Sequence, residues 1–193
     1  MSNHNLDKSP TYKLSNDLIK IAITGPESTG KTSLTLELAK EFSGMYVPEF
    51  ARNYLADKGL NYDASDVLNI AAQQLQEEEN AYALLSSKAT EKKILFCDTD
   101  LINIKIWLED KNWEVPEWIE WNLRQSSFHH YFLMDIDLPW ESDILRENPT
   151  RARYFFDKFE FYLNEYQKPY TVISGIGEHR KQKAIDFINS HYF

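Results

Sequence analysis

One segment near the N-terminus constrains the fold of this chain more than any other. Residues 25–32 read GPESTGKT and match the pattern G-x-x-x-x-G-K-[ST] at every fixed position. The segment lies between an apolar run, IKIAIT at residues 19–24, and a stretch from about Lys31 to Phe42 that predicts a helix. Glycines let such a loop curl until its N–H groups face one concavity, and the helix adds partial positive charge at its N-terminus. The sequence therefore predicts a loop that binds phosphate groups.

Each residue of this loop has an expected role in binding a nucleotide. Lys31 is expected to reach the β- and γ-phosphates, and the Thr32 hydroxyl is expected to contact Mg²⁺. The cofactors that follow from the motif are ATP and Mg²⁺. The expected nucleotide-binding residues are Gly25, Pro26, Glu27, Ser28, Thr29, Gly30, Lys31, Thr32 and Ser33.

The rest of the sequence alternates short apolar runs with longer amphipathic stretches. Beyond residues 19–24, the predicted strands are residues 44–48, 94–97, 130–135 and 170–174. The further predicted helices are residues 63–88, 101–109, 117–125, 151–167 and a last helix that ends near residue 191. This order predicts an α/β fold of the P-loop NTPase type, with a five-stranded, mostly parallel sheet and helices on both faces. Residues 1–17 predict a flexible tail, and residues 18–193 predict a single domain.

Composition and charge exclude several classes of protein. Lys and Arg number 21 and Asp and Glu number 30, which gives a formal net charge of −9. A protein that covers duplex nucleic acid needs a concentrated basic face, so we expect no nucleic-acid partner. No apolar run reaches the roughly 20 residues of a membrane helix, and the N-terminus has no apolar signal core. The one cysteine, Cys97, suits a reducing compartment, and the expected location is the cytoplasm.

Two carboxylates follow the predicted strand at residues 94–97. Ligands bind beyond the carboxyl ends of the strands in an open α/β sheet, so Asp98 and Asp100 are expected to face the phosphate loop. Asp98 is expected to hold Mg²⁺ through a coordinated water. Asp100 has two open interpretations: it contacts the substrate and orients the acceptor hydroxyl, or it caps the next helix.

Glu49 and Arg52 come just after the second predicted strand, again at this edge of the sheet. The Glu49 carboxylate is a candidate to accept a proton from a substrate hydroxyl or to hydrogen-bond it, and Arg52 is a candidate substrate contact. The alternative is a surface ion pair between two residues three apart on a helix. The position at the sheet edge favours the functional interpretation.

Three arginines lie between the fourth predicted strand and the next helix. Arg146, Arg151 and Arg153 occur within eight residues of an otherwise acidic chain. Arginines on a loop that closes over a nucleotide stabilise charge on a transferred phosphoryl group, so Arg146 and Arg151 are candidate catalytic residues. The alternative for Arg153 is a solvated charge at the start of a helix.

Other conspicuous residues have simpler interpretations. The acidic run at residues 77–79 is expected to be a solvated helix face, and Cys97 is expected to be buried and inert. Gly175 and Gly177 follow the last strand, where they are expected to let the backbone approach an adenine ring. Four tryptophans at helical spacing are expected to pack against the core, namely Trp107, Trp113, Trp118 and Trp121.

A phosphate loop by itself does not distinguish kinases from GTPases, motors or regulatory ATPases. The chain has no N-K-x-D sequence for reading guanine, which disfavours a GTPase. AAA-type machines normally carry a further helical domain, for which a chain of 193 residues has no room. A single core of this length with an arginine-rich loop favours a small-molecule kinase of the nucleoside or nucleotide type.

Several motifs together resemble one family. GPESTGKT, PEFAR, the IAAQQ stretch of the long helix, FCDTD and DIDLPWESDILR are similar to the nicotinamide riboside kinase domain of bifunctional NAD-biosynthesis proteins. The resemblance extends from about Ile19 to the C-terminus. In that family the domain is fused to a nicotinamide mononucleotide adenylyltransferase, of which this sequence shows no motif. The expectation is that the kinase works alone or that a separate adenylyltransferase acts on its product.

The resemblance implies ATP-dependent phosphorylation of the ribose 5′-hydroxyl of nicotinamide riboside, which gives nicotinamide mononucleotide. It implies that the phosphate loop and Mg²⁺ hold ATP, that Asp98 secures the metal, and that Glu49 or Asp100 orients the hydroxyl. Arg146 or Arg151 then stabilises the transferring phosphoryl group. Two alternatives stay open: another small-molecule nucleoside or nucleotide kinase, and a regulatory ATP-binding module that senses metabolites of the NAD pathway.

Overall fold

The computed structural model of the protein describes residues 18–59, 61–89, 93–141, 148 and 150–193, and the predicted tail lies outside them. None of the helices in this part of the chain has the length and apolar character needed to cross a membrane. The strands are β1 (Leu18–Thr24), β2 (Met45–Val47), β3 (Lys93–Asp98), β4 (His130–Met134) and β5 (Tyr170–Ile173). The helices are α1 (Lys31–Glu41), α2 (Phe50–Lys58), α3 (Ala64–Ser86), α4 (Leu101–Asp110), α5 (Glu117–Gln125), α6 (Ala152–Glu165) and α7 (Glu178–Tyr192).

The strands form one five-stranded sheet in the order β2-β3-β1-β4-β5, and every neighbouring pair runs parallel. In this register, Ile21 of β1 lies beside Phe96 of β3 and His130 of β4. The helices between successive strands supply the crossover connections that parallel pairing requires. The predicted α/β fold with a parallel five-stranded sheet is therefore confirmed.

The central strand β1 separates two apolar cores, because successive side chains of a strand point to opposite faces of the sheet. Ile21 and Ile23 pack with residues of α1 and α7, whereas Leu18 and Ala22 pack with residues of α2 to α6. All four side chains are buried. The predicted cover of helices on both faces is confirmed, and Cys97 of β3 is buried in the second core as expected.

A charged side chain of β1 is buried on the second of these faces. Lys20 Nζ lies 2.7 Å from Glu78 Oε2 of α3 and 4.0 Å from the centre of the Phe128 ring. Glu78 is only 3% exposed. The expectation of a solvated face at residues 77–79 was therefore wrong for Glu78, because a strand residue that points at α3 supplies its counter-ion.

Helix α5 forms where the sequence predicts it, but its tryptophans do not face the core. Trp118 is 36% exposed and Trp121 is 50% exposed. Ile119 and Leu123 occupy the buried face of the helix instead. The packing role predicted for Trp118 and Trp121 was wrong, because the aliphatic residues at i and i+4 define the buried stripe of this short helix.

The strand order decides which loops surround the phosphate loop. Because β1 is the central strand, residues 25–30 leave the sheet at the middle of its carboxyl edge. The loops after β2 and β3 leave on one side of the phosphate loop, and the loops after β4 and β5 leave on the other. The phosphate loop is thus flanked on both sides by loops able to contact a ligand.

Asp66 joins α2 to α3. Its carboxylate accepts hydrogen bonds from Tyr54 Oη at 2.8 Å and from Lys58 Nζ, both on α2. It also accepts a bond of 2.9 Å from the N–H of Asp63, which caps α3 in return. The sequence did not predict α2 as a helix, and this carboxylate is part of what holds it in place.

Asp66→Asn is expected to destabilise the protein at neutral pH and progressively less in acid. Hydrogen bonds from Lys58, from the Asp63 N–H and from Tyr54 lower the pKa of Asp66 to about 2. A carboxylate with a lowered folded-state pKa stabilises the fold above its unfolded pKa, and this stability is lost as the pH falls through the folded pKa. Urea midpoints of wild type and variant should therefore converge below about pH 4. Asp157→Asn, in an exposed ion pair, is the control, and a gap that stays constant with pH would contradict the prediction.

Candidate active site

A cavity of about 710 Å³ opens at the carboxyl edge of the sheet, against the phosphate loop. Residues 26–33 form one wall. Residues of α2, Trp107 of α4 and Phe155 of α6 line one side, and Leu138 and Ile176, from the loops after β4 and β5, line the other. The cavity lies where the position of the phosphate loop in the sequence predicts a ligand site.

The phosphate loop has positive backbone φ angles at three residues. The angle φ is +134° at Gly25, +60° at Ser28 and +79° at Gly30. A side chain at Gly25 would approach the N and O atoms of Met134 in β4 to 3.1 Å. Glycine alone combines this φ with so close an approach of another strand, so both the curl and the contact require it.

Gly25→Ala is expected to lower both the stability of the protein and its affinity for nucleotide. The added methyl group would displace the β4 backbone, and the strained φ alone costs about 1–3 kcal/mol. Gly59→Ala is the matched control, since Gly59 also has a positive φ, of +63°, but nothing lies within 4 Å of the point that an added methyl group would occupy. Urea unfolding and titration with a nonhydrolysable ATP analogue measure the two effects. Equal loss of affinity in both variants would contradict the prediction.

Hydrogen bonds within the phosphate loop hold its curled shape. Lys31 Nζ donates to Gly25 O at 2.9 Å and to Pro26 O at 2.8 Å. Thr29 Oγ1 donates to Pro26 O at 2.7 Å. The Lys31 ammonium therefore lies over the loop and has three donors that can exchange these carbonyls for phosphate oxygens. This position fits the contact with phosphates that the sequence predicts.

Thr32 and Asp98 meet as the predicted metal site requires. Thr32 Oγ1 donates to Asp98 Oδ2 at 2.5 Å. Asp98 is 1% exposed, and its Oδ1 has no hydrogen-bond partner among the described residues. Desolvation raises the pKa of Asp98, and the bond from Thr32 and the charge of Lys31 oppose the rise. A buried carboxylate oxygen without a partner is costly, so the residues present fit a cation that would complete its contacts.

The ligand types at this point favour Mg²⁺ among the common cations. Magnesium is usually held by one or two carboxylates together with phosphate oxygens and waters, and not by a cage of protein side chains. The described part of the chain contains no group of three or more His, Cys, Asp and Glu side chains that could hold a metal by itself. A site built from Thr32, Asp98 and the phosphates of a bound nucleotide agrees with both observations.

Glu49 lies in the cavity at the start of α2. It is the residue immediately before the helix, its side chain makes no capping hydrogen bond, and it lines the cavity. Burial raises the pKa of Glu49; the charge of Asp98 adds to the rise, and the charges of Lys31 and Arg52 oppose it. This arrangement lets Glu49 accept a hydrogen bond from a hydroxyl group beside the phosphate loop.

Gln74 of α3 positions the start of α2, a role that was not predicted from the sequence. Its Oε1 accepts a bond of 2.8 Å from the N–H of Phe50, the residue after Glu49. That N–H is one of the donors that the first turn of a helix leaves without an internal partner. Gln74 is 3% exposed, and its Nε2 has no partner in the described part of the chain. The IAAQQ motif contains Gln74, but nothing in the motif indicates which helix it reaches.

Asp100 is the N-cap of α4 and does not line this cavity. It is 2% exposed, with Oδ1 accepting from Thr24 Oγ1 at 3.1 Å and Oδ2 accepting from the Ile102 N–H at 3.2 Å. Burial raises its pKa to about 7, and the bond from Ile102 opposes the rise. Asp100 instead lines a second cavity, of about 440 Å³, between α3 and α5. Of the two interpretations of Asp100, the structure therefore shows the helix cap. The expected position beside the substrate was wrong, because one carboxylate oxygen accepts from the start of α4 and the other accepts from β1.

The structure separates the candidate arginines. Arg52 lines the cavity. Arg151 donates from its two Nη atoms to the carboxylate of Asp110, at 3.0 and 2.5 Å, and borders the cavity through this partner. Arg153 forms an exposed ion pair of 2.8 Å within α6, which is the alternative that the sequence left open for it. Arg146 lies outside the described residues.

One wall of the cavity was missed at the level of sequence. Four residues of α4 line it at positions i, i+3, i+4 and i+7, which is one face of a helix; they are Asn103, Ile106, Trp107 and Asp110. Trp107 Nε1 donates to Tyr62 Oη at 3.0 Å, and the two rings meet edge to face with centres 5.1 Å apart. Trp107 packs as predicted, but it also presents a fixed aromatic surface to the cavity. The periodicity of α4 was the signal that would have indicated this face.

The loop after β5 reaches the opposite side of the cavity. Gly175 and Gly177 have φ of +109° and +56°, and Ile176 between them lines the cavity with 68% of its surface exposed. The Gly175 N–H donates to Asp137 Oδ2 at 2.5 Å, which joins this loop to the loop after β4. The adenine contact expected of the backbone at Gly175 and Gly177 stays a prediction.

Comparison with solved structures shows which folds resemble this one. A NadR protein in complex with NAD and AMP-PNP matches with a TM-score of 0.69 and 20% identity, covering 91% of this chain and 50% of that chain. A NadR protein in complex with NR matches with a TM-score of 0.67 and 18% identity over 91% of this chain. The chain therefore spans about half the length of these NadR proteins.

Two kinases match over nearly their whole length. Thymidylate kinase from Ehrlichia chaffeensis has a TM-score of 0.62 and 14% identity, covering 89% of this chain and 98% of that one. Deoxyadenosine kinase from M. mycoides has a TM-score of 0.59 and 16% identity, covering 89% of this chain and 100% of that one. At these identities the likeness shows a common fold, that of nucleoside and nucleotide kinases with a phosphate loop.

A search of curated proteins finds no significant match to the sequence. A family model described as an AAA domain, in contrast, matches residues 20–180. The matched region is the core around the phosphate loop, so the argument from length that disfavoured an AAA-type machine does not exclude membership. Because the match covers most of the sequence, from β1 to the first turn of α7, the chain belongs to the AAA domain family.

Proposed function

We propose that this protein is an ATP-dependent kinase of a small nucleoside, and that its acceptor is the ribose 5′-hydroxyl of nicotinamide riboside. One observation carries the proposal: the phosphate loop, the half-buried Glu49 and Thr32, whose hydroxyl binds the buried Asp98, line a single cavity. A module that only binds a nucleotide needs the first two features. It does not need a carboxylate of raised pKa beside the phosphates, which is what a hydroxyl acceptor requires.

The order of the strands supports the binding of two substrates, one on each side of the phosphate loop. The loops after β4 and β5 supply Leu138 and Ile176 on one side of the phosphate loop, which suits the base of ATP. The loop after β2 and the helix after β3 supply Glu49 and Trp107 on the other side, which suits the acceptor. The γ-phosphate of ATP then lies between donor and acceptor, as transfer requires.

The residues of this chain mainly position the substrates and stabilise charge, because the transition state of phosphoryl transfer is loose. The acceptor oxygen forms a bond to the γ-phosphorus, the bond from that phosphorus to the bridging oxygen of ADP breaks, and the hydroxyl proton passes to Glu49. Lys31 stabilises the charge on the β- and γ-phosphate oxygens. Thr32 and Asp98 would hold Mg²⁺, which supplies further neutralisation of the phosphate charge when bound.

The acceptor side of the cavity suits a flat cationic ring. Trp107 is held by Tyr62, and the carboxylate of Glu49 lines the same cavity, whereas that of Asp110 is already paired with Arg151. An aromatic face and a carboxylate attract a positively charged heterocycle such as the pyridinium of nicotinamide riboside. The sequence motifs shared with nicotinamide riboside kinase domains and the fold shared with a NadR protein bound to NR support the same acceptor.

The test is an assay of the purified chain with MgATP and nicotinamide riboside, in which ADP and nicotinamide mononucleotide are separated by chromatography. Uridine, cytidine, thymidine and adenosine run in parallel as alternative acceptors. We expect one nicotinamide mononucleotide for each ADP and a clear preference for nicotinamide riboside. The proposed setting is the cytoplasm, with a separate adenylyltransferase consuming the product.

The second candidate is a kinase for another nucleoside or nucleotide, which the likeness to thymidylate and deoxyadenosine kinases favours. ADP formation with one of the parallel nucleosides would support this candidate and would replace the acceptor while keeping the mechanism. Tight ATP binding without turnover of any acceptor would contradict both kinases and support a regulatory module.

A further inference from the structure

Arg180 of α7 is a buried cation behind the phosphate loop, and no motif of the sequence indicated it. Its side chain is only 6% exposed. All its contacts are at the carboxyl edge of the sheet: Nε donates to Gly175 O at 2.9 Å, Nη1 donates to Thr29 O, and Nη2 donates to Asp135 O at 3.2 Å and to Asp137 Oδ1. A single guanidinium therefore contacts three separate loops.

Asp137 completes this arrangement. One oxygen of its carboxylate accepts from Arg180, and the other accepts the Gly175 N–H at 2.5 Å. The loop after β4, the loop after β5 and the phosphate loop are thus tied together by one ion pair. Because the pair is mostly buried, water competes with it weakly, and its geometry is held more firmly than that of a surface pair.

The contact with Thr29 has a consequence for phosphate binding. The peptide between Thr29 and Gly30 is planar and trans, so its C=O and its N–H point in opposite directions. Arg180 holds the carbonyl on the side of α7. The Gly30 N–H consequently points away from α7, toward the side on which Gly30 lines the cavity.

Gly30 lies close to the side chains of Leu138 and Arg180. A methyl group at Gly30 would lie 3.2 Å from Leu138 Cδ1 and 3.6 Å from Arg180 Nη1. Gly30 itself has φ of +79° and no side chain to restrict it. The hydrogen bond from Arg180 fixes the Thr29 carbonyl, while the carbonyl of Gly30 on the other side accepts from the Leu34 N–H at 3.1 Å.

We propose that Arg180, held by Asp137, is a positioning residue that orients the Thr29–Gly30 peptide so that the Gly30 N–H is ready to bind a nucleotide phosphate. It acts through the loop, since its guanidinium is occupied by four oxygen atoms and does not face the cavity. This inference rests on the proposed binding of ATP, but it does not depend on which acceptor is phosphorylated.

Arg180→Lys is the decisive variant. Lysine keeps the positive charge but cannot reach all four oxygens with one ammonium group. We expect the affinity for Mg²⁺ and AMP-PNP, measured by isothermal titration calorimetry on the full chain, to fall about tenfold, the value of one well-oriented hydrogen bond to a charged group. In turnover assays the KM for ATP should rise while the KM for the acceptor stays unchanged. Lys181→Gln, at the neighbouring position of α7 with surface ion pairs only, is the control and should match the wild type.

The possible results are separable. Wild-type AMP-PNP affinity in Arg180→Lys would overturn the inference. So would a kcat that falls only with the folded fraction while the KM for ATP stays unchanged, since that is a purely structural role. If Arg180→Lys does not fold, Asp137→Asn tests the same contact and should also weaken AMP-PNP binding; wild-type affinity in it would overturn the inference. No binding of AMP-PNP by the wild type would contradict the proposed function itself.

Discussion

Lys31→Ala is expected to lower kcat for phosphoryl transfer by about 10³-fold or more. The Lys31 ammonium is the cation of the phosphate loop that we propose to contact the β- and γ-phosphates, and alanine cannot replace its charge. The loop should keep its shape, because Thr29 Oγ1 still donates to Pro26 O and the space left by the Lys31 side chain opens into the cavity that Lys31 lines. Steady-state kinetics and thermal unfolding measure the two effects.

Lys40→Ala is the matched control for this experiment. Lys40 is an exposed lysine in the last turn of the same helix, nine residues further along α1. Its removal should leave kcat and the melting temperature within error of the wild type. Full activity in Lys31→Ala would contradict the phosphate-loop mechanism, whatever the acceptor.

Glu49→Gln is expected to lower kcat by about 10²-fold while the affinity for ATP changes little. Glutamine fills the same space but cannot take the proton of the acceptor hydroxyl. The loss is expected to be smaller than for Lys31→Ala, because a loose transition state gains more from neutralised charge than from a strong base. Glu37→Gln, on the exposed side of α1, is the control.

The pH dependence gives an independent test of Glu49. Burial raises the pKa of Glu49, and only the ionised carboxylate accepts a proton. We therefore expect the rate to fall with falling pH at a higher pH than the ordinary glutamate value of about 4.3. This fall of the rate in acid should be absent from Glu49→Gln. The same fall in wild type and variant would assign the titration to another group.

The same raised pKa predicts the sign of a stability effect. A carboxyl group with a folded-state pKa above its unfolded value stabilises the fold below the unfolded pKa, and this contribution is lost as the pH rises through the folded pKa. Above its folded-state pKa, the ionised Glu49 carboxylate therefore destabilises the fold. Glu49→Gln should melt at the same temperature as the wild type or a higher one, so its loss of activity cannot be attributed to unfolding.

Much of the fold was predictable because its signals are local. The strand predicted at residues 94–97 agrees with β3 to within one residue at each end, and the helix predicted at residues 117–125 is identical to α5. Apolar runs and helical periodicity depend only on near neighbours in the sequence. Helix α2 was missed because, among its side chains that the structure describes, just Ala51 and Leu55 are buried, which leaves almost no periodic signal.

The candidate site was predictable in part for the same reason. The position of Glu49 and Asp98 at the carboxyl ends of strands follows from the parallel sheet, and both lie at the phosphate loop. Asp100 lies two residues after Asp98, so this argument could not show that its role differs from that of Asp98. Its environment depends on Thr24, a residue of another strand, whose hydroxyl donates to Oδ1 while Oδ2 caps α4.

The sequence by itself determined the phosphate loop, the alternation of strands and helices and hence the edge of the sheet at which a ligand binds. Only the tertiary structure decided which side chains serve that edge. Thr32 and Asp98 are 66 positions apart, and Arg180 and Thr29 are 151 apart. Glycine conformation and apolar periodicity are local properties of a chain, whereas a hydrogen bond between distant residues exists only after packing has brought their strands and helices together.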